Sequence, residues 1–305
     1  MKVYSATDVA RALPYDQLIE TLREGFRNDV TTPHRMVMDT GSVTTLLIMP
    51  AWSKVYTGIK VVTVKSDNEA IGYPAVQASY LLIDNATGAP VAIMDGTELT
   101  RRRTAAAGAL AADYLARKEA STLLLVGAGS LAMHFAKAHA AVRPIKTVLV
   151  FNRTHDKAVR VTRELHAEGF AAEAVTDLEA AMARADIISG ITSATGPVIK
   201  GAWVKPGTHI DLAGAYKPTS RETDGAAVGM ARVYVDTREG ALAEAGDLLM
   251  AQSEGHFKWD SIQGDLFQLT RGAITGRKTD SEVTLFKSSG TALEDLAAAA
   301  MVYLR

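Results

Sequence analysis

The sequence predicts an α/β protein of two modules: a doubly wound parallel sheet in the second part of the chain, and a separate α+β module with a mainly antiparallel sheet in the first. Three observations carry this. The apolar run Leu123-Leu124-Leu125-Val126 breaks at Gly127 and Gly129 and continues as an alanine-rich amphipathic stretch, which reads as strand, tight turn and helix. Beyond it, helix-like and strand-like segments alternate, as crossover helices between parallel strands require. Ahead of it, short β-branched runs follow one another with only turns between them, which implies antiparallel neighbours.

Taken in order, Thr7-Asp8 and Pro14-Tyr15-Asp16 look like helix starts, and Leu18, Ile19, Leu22 and Phe26 recur at helical spacing. An amphipathic helix therefore opens the chain. Between Val43 and Asp95, the runs Thr44 to Met49, Gly58 to Lys65, Ala78 to Asp84 and Pro90 to Met94 read as strands; Asp84-Asn85-Ala86-Thr87-Gly88 supplies hairpin turn chemistry. A long helical pattern from Thr97 to Ala116, begun by Thr97-Glu98-Leu99-Thr100, links the modules. After the glycine turn come a helix from about Ser130 to Ala141, a strand Thr147 to Phe151 and a helix Asp156 to His166. A strand near Ala171 to Val175, a helix begun by Asp177, and strands Asp186 to Gly190, Thr208 to Ala213 and Val233 to Val235 follow. The last pattern, Thr291 to Tyr303, is apolar on nearly all faces and is expected to dock on another surface, returning to the first module. The expected division is 1–116, completed by a C-terminal helix in 283–305, and 117–282.

Composition narrows the function classes. At 305 residues and 48% hydrophobic, the chain can build two cores, and its net charge of −1 gives no reason to expect nucleic acid or an anionic membrane as partner. It has no cysteine, hence no disulfide, thiolate nucleophile or Cys-ligated metal. No signal-peptide core or membrane-span-length apolar run is present, so a soluble, cytoplasmic protein is expected. The seven histidines do not form metal-ligand spacing, and no Gly-x-Ser-x-Gly elbow occurs, so neither a metal site nor a hydrolase is expected.

The glycine turn is the first chemical signal. In a Rossmann-type unit Gly127 would permit the turn, Gly129 would let the backbone approach a pyrophosphate, and the following helix N-terminus would face that anion; Ala132 takes the third position. Ser130 lies in the loop, where phosphate contact or helix capping is expected. A carboxylate commonly follows the second strand in NAD-preferring units, but here the chain reads Phe151-Asn152-Arg153-Thr154. An acid there would repel a 2′-phosphate, whereas Asn152, Arg153 and Thr154 can bind one. The alternative is a solvated arginine beside a threonine that caps the next helix. The reading favours NADP(H), with NAD(H) open. Thr192-Ser193-Ala194-Thr195 follows a strand at the sheet edge where ligands bind, as a nicotinamide-side contact or a plain polar loop.

Three bases stand out in the first module: Arg35 after Thr32-Pro33-His34, Lys60 inside the strand Gly58-Ile59-Lys60-Val61-Val62, and Arg103 ahead of Thr104-Ala105-Ala106-Ala107. A buried base needs an anion, and together the three can hold a substrate carboxylate. For Lys60 alone the solvent face of an alternating strand is an equal reading, and Arg101 and Arg102 compete with Arg103 for the inward position.

These residues carry a resemblance. The chain resembles the ornithine cyclodeaminase/mu-crystallin family over nearly its full length, through Gly58 to Val64, Leu99 to Ala106, the Gly127 loop, Gly214 to Glu222 and Ser289 to Leu296. The resemblance implies a homodimer whose first module, with the C-terminal helix, provides the substrate site and dimer interface. It implies that Arg35, Lys60 and Arg103 bind substrate, Arg103 as the main carboxylate partner and Lys60 near the reacting centre, and that Thr104 approaches the cofactor phosphates. One position departs from the pattern: the family's ornithine cyclodeaminases carry an aspartate where Tyr216 stands here. Tyrosine, with a pKa near 10, cannot replace a carboxylate base at neutral pH. Asp211 is the remaining candidate for that work, although a structural role is expected of it. The chain is thus similar in type to the family's ketimine reductases, which reduce Δ1-pyrroline-2-carboxylate or Δ1-piperideine-2-carboxylate to proline or pipecolate. Ornithine cyclodeaminase, an alanine dehydrogenase-type enzyme and a non-catalytic NADPH or small-ligand binding protein are the alternatives.

Overall fold

A computed structural model describes residues 1–41 and 44–305, apart from the side chains of Ser66 and Glu69; the Val43 end of the predicted β region lies outside them. The chain divides into two compact units, residues 1–104 with 291–305, and residues 105–290.

The first unit begins with β1 (Lys2–Tyr4), α1 (Ala6–Ala12) and α2 (Tyr15–Arg27), so the predicted opening helix is in fact two. Ser5 caps α1 reciprocally with Asp8, and Pro14 supplies the start of α2, whose Leu18, Ile19, Leu22 and Phe26 are buried. Then come β2 (Met36–Asp39), β3 (Thr45–Trp52), β4 (Tyr56–Val64), β5 (Val76–Asp84) and β6 (Pro90–Asp95), in a sheet ordered β1-β6-β5-β4-β3-β2. Every pair is antiparallel except β1 with β6. The β5–β6 hairpin closes as the sequence predicts, with the Asp84 side chain accepting from Ala86 N–H at 2.7 Å and Gly88 at φ +71°. Helix α3 (Gly96–Leu115) is capped by Asp95, whose carboxylate accepts from Glu98 N–H at 2.7 Å. The predicted start at Thr97 is displaced because the Thr97 hydroxyl accepts from Ala78 N–H instead, at 2.9 Å.

The second unit carries β7 (Thr122–Val126), α4 (Ala132–Val142), β8 (Thr147–Phe151), α5 (His155–Ala167), β9 (Ala171–Val175), α6 (Leu178–Arg184), β10 (Ile187–Gly190) and β11 (His209–Leu212). After them come α7 (Gly225–Met230), β12 (Arg232–Val235), α8 (Arg238–Glu244), α9 (Gly246–Ser253), β13 (Gly264–Asp265), α10 (Leu266–Thr270) and β14 (Thr284–Lys287). All eight strands are parallel, ordered β13-β12-β14-β11-β10-β7-β8-β9. Successive strands β7, β8 and β9 run one way from the centre and β10, β11 and β14 the other, which is the doubly wound order with its switch point between β7 and β10. The core is aliphatic, built on Leu124, Val126, Leu149, Ile188, Ile210, Leu212, Val233 and Leu285.

Residues 284–287 correct the expected C-terminal helix: they form β14, paired with β11 and β12, and the helix α11 (Ala292–Tyr303) begins only after the Thr291 cap. Helix α11 belongs to the first unit, where it packs on β3, β4, β5 and α2. Small residues allow the approach to α2: a Cβ on Gly25 would already lie 3.2 Å from Ala297 Cβ. Among the described residues, no helix is long and apolar enough to cross a membrane.

Candidate active site

The chemistry of the first unit collects on the sheet face beneath α11. Alternation along β4 turns Gly58, Lys60 and Val62 inward, and Tyr80 of β5 stands directly across from Lys60. The Tyr80 ring crosses toward β4, where a Cβ on Gly58 would collide with its hydroxyl; only glycine fits there. Among the described residues that buried hydroxyl has no hydrogen-bond partner, and burial, with the nearby Asp295 carboxylate, pushes its pKa up.

Lys60 is 1% exposed, and its ammonium lies 2.7 Å from Asp295 Oδ2. The other oxygen of Asp295 accepts from Arg103 Nε at 2.9 Å, and Arg103 Nη1 donates to Glu294 Oε2 at 2.6 Å. Both acids are fully buried in the first turn of α11. Arg103, four residues beyond the buried Leu99, is therefore the inward arginine of the three. Arg101 and Arg102 both turn to Glu98, at 3.9 and 2.7 Å, and Arg102 also reaches Leu13 C=O. The Arg35 charge is felt at Lys60 and completes the cluster. Burial first, and then the Arg103 charge, lower the Lys60 pKa to about 8, against the pull of Asp295. Burial also works against the Arg103 charge, but Asp295 and Glu294 outweigh it and raise that pKa further.

The sequence reading assigned no role to Glu294 or Asp295. The available signal was two adjacent acids in the first turn of an otherwise apolar helix, where macrodipole compensation alone is satisfied by exposed acids.

In the second unit the glycine turn has the expected geometry. Gly127 has φ +119°, and a Cβ there would lie 2.7 Å from Ile191 C=O. At Gly129 a Cβ would meet nothing within 4 Å, so the backbone is open to a pyrophosphate at the start of α4, beside the exposed Ser130. These residues fit a dinucleotide. Asn152 works locally: its Oδ1 accepts from Ala128 N–H at 3.2 Å and its Nδ2 donates to Thr154 C=O at 2.9 Å, bracing the turn. Arg153 and Thr154 are exposed, and although Thr154 is the N-cap residue of α5, its side chain makes no capping bond. Thr192 is half-buried after β10, its hydroxyl donating to Glu222 at 2.9 Å. Thr104, half-buried, is the last residue of the first unit's main segment.

Asp211 is fully buried in β11 and held by His139 Nε2 at 3.1 Å, with Ser189 Oγ 3.2 Å from the same nitrogen. Its place is structural, between β10, β11 and α4. Tyr216 is half-buried, with the Lys217 ammonium 5.8 Å from its ring centroid. Among the described residues, no group of three or more His, Asp or Glu is placed to hold a metal.

A parallel sheet in this winding order, with a glycine turn at its switch point, marks the class of NAD(P)-dependent oxidoreductases. The chain belongs to the ornithine cyclodeaminase/mu-crystallin family, whose sequence pattern matches residues 1–305. A Δ1-pyrroline-2-carboxylate reductase of Paracoccus denitrificans is 38% identical over 302 residues, covering 97% of this chain and 94% of the relative. The structure of Thermococcus litoralis Δ1-pyrroline-2-carboxylate reductase with NADH and L-proline superposes with a TM-score of 0.96 at 33% identity, covering 100% of this chain and 97% of the other. An archaeal alanine dehydrogenase dimer with bound NAD gives 0.94 at 30% identity, covering 100% and 95%. The bound cofactors in these two structures are NADH and NAD.

Proposed function

We propose that this protein reduces a small cyclic ketimine carboxylate, Δ1-pyrroline-2-carboxylate or Δ1-piperideine-2-carboxylate, to L-proline or L-pipecolate. The observation that supports this reading is the buried pair of cations Lys60 and Arg103, side by side beneath α11, with the Arg35 charge acting on Lys60. When bound, the nicotinamide cofactor supplies the hydride taken up by the imine carbon, and one proton goes to the imine nitrogen. Arg103 and Arg35 anchor the carboxylate, the guanidinium fork fixing its plane, so that the imine carbon is held in one orientation. Lys60 orients the ring and delivers the proton; with its pKa near 8 it is an ammonium at neutral pH and an adequate acid. In the second unit Gly127, Gly129 and Ser130 hold the pyrophosphate, and Thr192 serves the nicotinamide side.

The test is NADPH and NADH oxidation with Δ1-pyrroline-2-carboxylate, beside L-ornithine with NAD assayed for ammonia. Oxidation without ammonia release is expected; ammonia from ornithine would replace this reading with cyclodeamination. Tyr216 at the family's aspartate position and the engagement of Asp211 with His139 both weigh against cyclodeamination. The likeness to an archaeal alanine dehydrogenase favours reductive amination as a second reading, and there turnover would require ammonia. Binding of NADPH without turnover of any of these substrates would instead indicate a binding protein.

Because the Lys60 pKa is depressed, the protonated form is lost as pH rises through about 8. The expected profile is a kcat/KM that falls above that pH with one ionisation, and a flat profile there would remove Lys60 as the proton donor.

Arg153 and Thr154 support an NADP(H) preference. Replacing Arg153 with Ala is expected to weaken NADPH about tenfold, the loss of one or two charge-assisted hydrogen bonds, and NADH less than twofold. Equal losses in direct titration would sink the 2′-phosphate assignment.

A homodimer through the first unit is supported by the outer sheet face, where Met36, Met38, Val61, Ile93 and Val3 are exposed from four strands. Val61→Glu is expected to shift the protein to monomer in analytical ultracentrifugation. An unchanged mass would place the interface elsewhere.

A further inference from the structure

Glu222 is a fully buried carboxylate to which the proposed reaction gives no part. Two chain segments converge on it. Its Oε1 accepts from Thr192 N–H at 2.6 Å and from the Thr192 hydroxyl at 2.9 Å; its Oε2 accepts from Gly214 N–H at 2.7 Å and Ala215 N–H at 3.2 Å. Thr192 follows β10 and Gly214–Ala215 follows β11, so both segments leave the carboxyl edge of the parallel sheet, on the opposite side of β7 from β8 and Arg153. In a doubly wound sheet that is the side opposite the adenosine half of a dinucleotide.

Behind the carboxylate, Asp247 of α9 accepts from the backbone N–H of Glu222 and Thr223 at 2.7 and 3.0 Å. Lys287 of β14 meets the other Asp247 oxygen at 3.0 Å and donates to Ala215 C=O. The charged groups acting on Glu222 are Asp247 and Lys287, beside the donors of Thr192, Gly214 and Ala215. Only the ionised carboxyl accepts all four donors: a proton on Oε2 is set against Gly214 and Ala215 N–H, and one on Oε1 reverses the bond with the Thr192 hydroxyl, which then loses its acceptor. Burial, aided by Asp247 and opposed by Lys287 and the N–H donors, pushes the pKa up to about 7, so both forms are populated near neutrality.

We propose that Glu222 is a positioning residue for the nicotinamide half of the cofactor: as a carboxylate it fastens Thr192 and Gly214–Ala215 in the arrangement that receives that half, and on protonation it lets them go. This goes beyond the proposed reaction and rests only on dinucleotide binding, so it stands or falls whichever substrate is reduced.

The experiment titrates the full-length protein with NADH and, separately, with ADP-ribose, which lacks the nicotinamide, between pH 6 and 8. NADH affinity is expected to fall about fivefold to tenfold from pH 8 to pH 6 while ADP-ribose affinity stays level, so groups near the adenosine half cancel in the ratio. In Glu222→Gln, NADH is expected to bind about tenfold more weakly at pH 8, without the pH dependence and with ADP-ribose unaffected. Parallel losses for both ligands would reduce Glu222 to a general scaffold role and overturn the proposal. If the variant does not fold, the wild-type titration decides alone: a pH-independent ratio of the two affinities overturns it as well.

Discussion

Arg103→Ala is expected to lower kcat/KM for the ketimine by about a hundredfold or more, mainly through KM, while dinucleotide affinity in the second unit stays near that of the wild type. The guanidinium offers a carboxylate two parallel N–H bonds, each charge-assisted and worth about 1.5–3 kcal/mol. The same substitution strands buried carboxylates. Glu294 and Asp295 both lose the Arg103 guanidinium while Asp295 keeps Lys60, so stability should fall by about 3–5 kcal/mol, the usual result of removing one partner of a buried pair. A second signature separates loss of the anchor from general damage. The Arg103 charge, after burial, is what most depresses the Lys60 pKa, so its removal should move the alkaline limb of the pH profile upward from about 8. Arg103→Lys should recover the charge and part of the stability but not the fork, and hence little of the KM. Unchanged kinetics in Arg103→Ala would remove the carboxylate-anchor role.

The other large effect belongs to the second unit. Lys287→Met keeps the volume of the stem but deletes the one ammonium between Asp247 and the Glu222 pocket, leaving Asp247 Oδ2 and Ala215 C=O without their donor. Two like charges then share a site with no exposure. A loss of about 3–5 kcal/mol, or a Tm lower by on the order of 10 °C in a unit of this size, is expected by calorimetry. The pH dependence follows from Glu222. Its folded pKa already lies above the ordinary 4.5, mainly through burial, and removing Lys287 raises it further. The folded chain thus holds that proton more tightly than the unfolded chain, so stability is greatest at low pH and declines as pH rises from 4.5 through the folded value. The variant should therefore recover part of its deficit on acidification, and a deficit independent of pH would show that Lys287 acts by packing rather than charge.

The second unit was largely legible because its signals are local. β7, β8 and β9 follow from apolar runs with turn residues at their ends, and Gly127 marks a tight turn whose φ demands glycine. β14 was missed for a local reason as well: Thr284-Leu285-Phe286-Lys287 is too short to show a period, and its terminal lysine disguises a fully buried strand. β2, exposed at all four positions on a sheet edge, has no alternation to read. The buried charge cluster of the first unit was half legible. A lysine inside an apolar strand announces a missing anion, and three adjacent arginines on one helix must point three ways. Neither says that the partner is Asp295, because a pairing of residues 192 positions apart leaves no mark in local spacing. Glu222, Asp247 and Lys287 stayed hidden for the same reason, each an unremarkable charge until the fold removes water from all three.

The long separation between Arg103 and Asp295 also has a meaning for how the protein is made. Residues 105–290 are contiguous and can fold as soon as they leave the ribosome, whereas the first unit waits for residues 291–305. Until α11 emerges, Lys60 on β4 and Arg103 on α3 lack the Asp295 carboxylate, and α11 brings both that counterion and their roof. The first unit is thus completed after the second, so a nascent chain stalled or cleaved before Thr291 would carry a whole second unit beside a first unit that lacks α11 and its two buried acids.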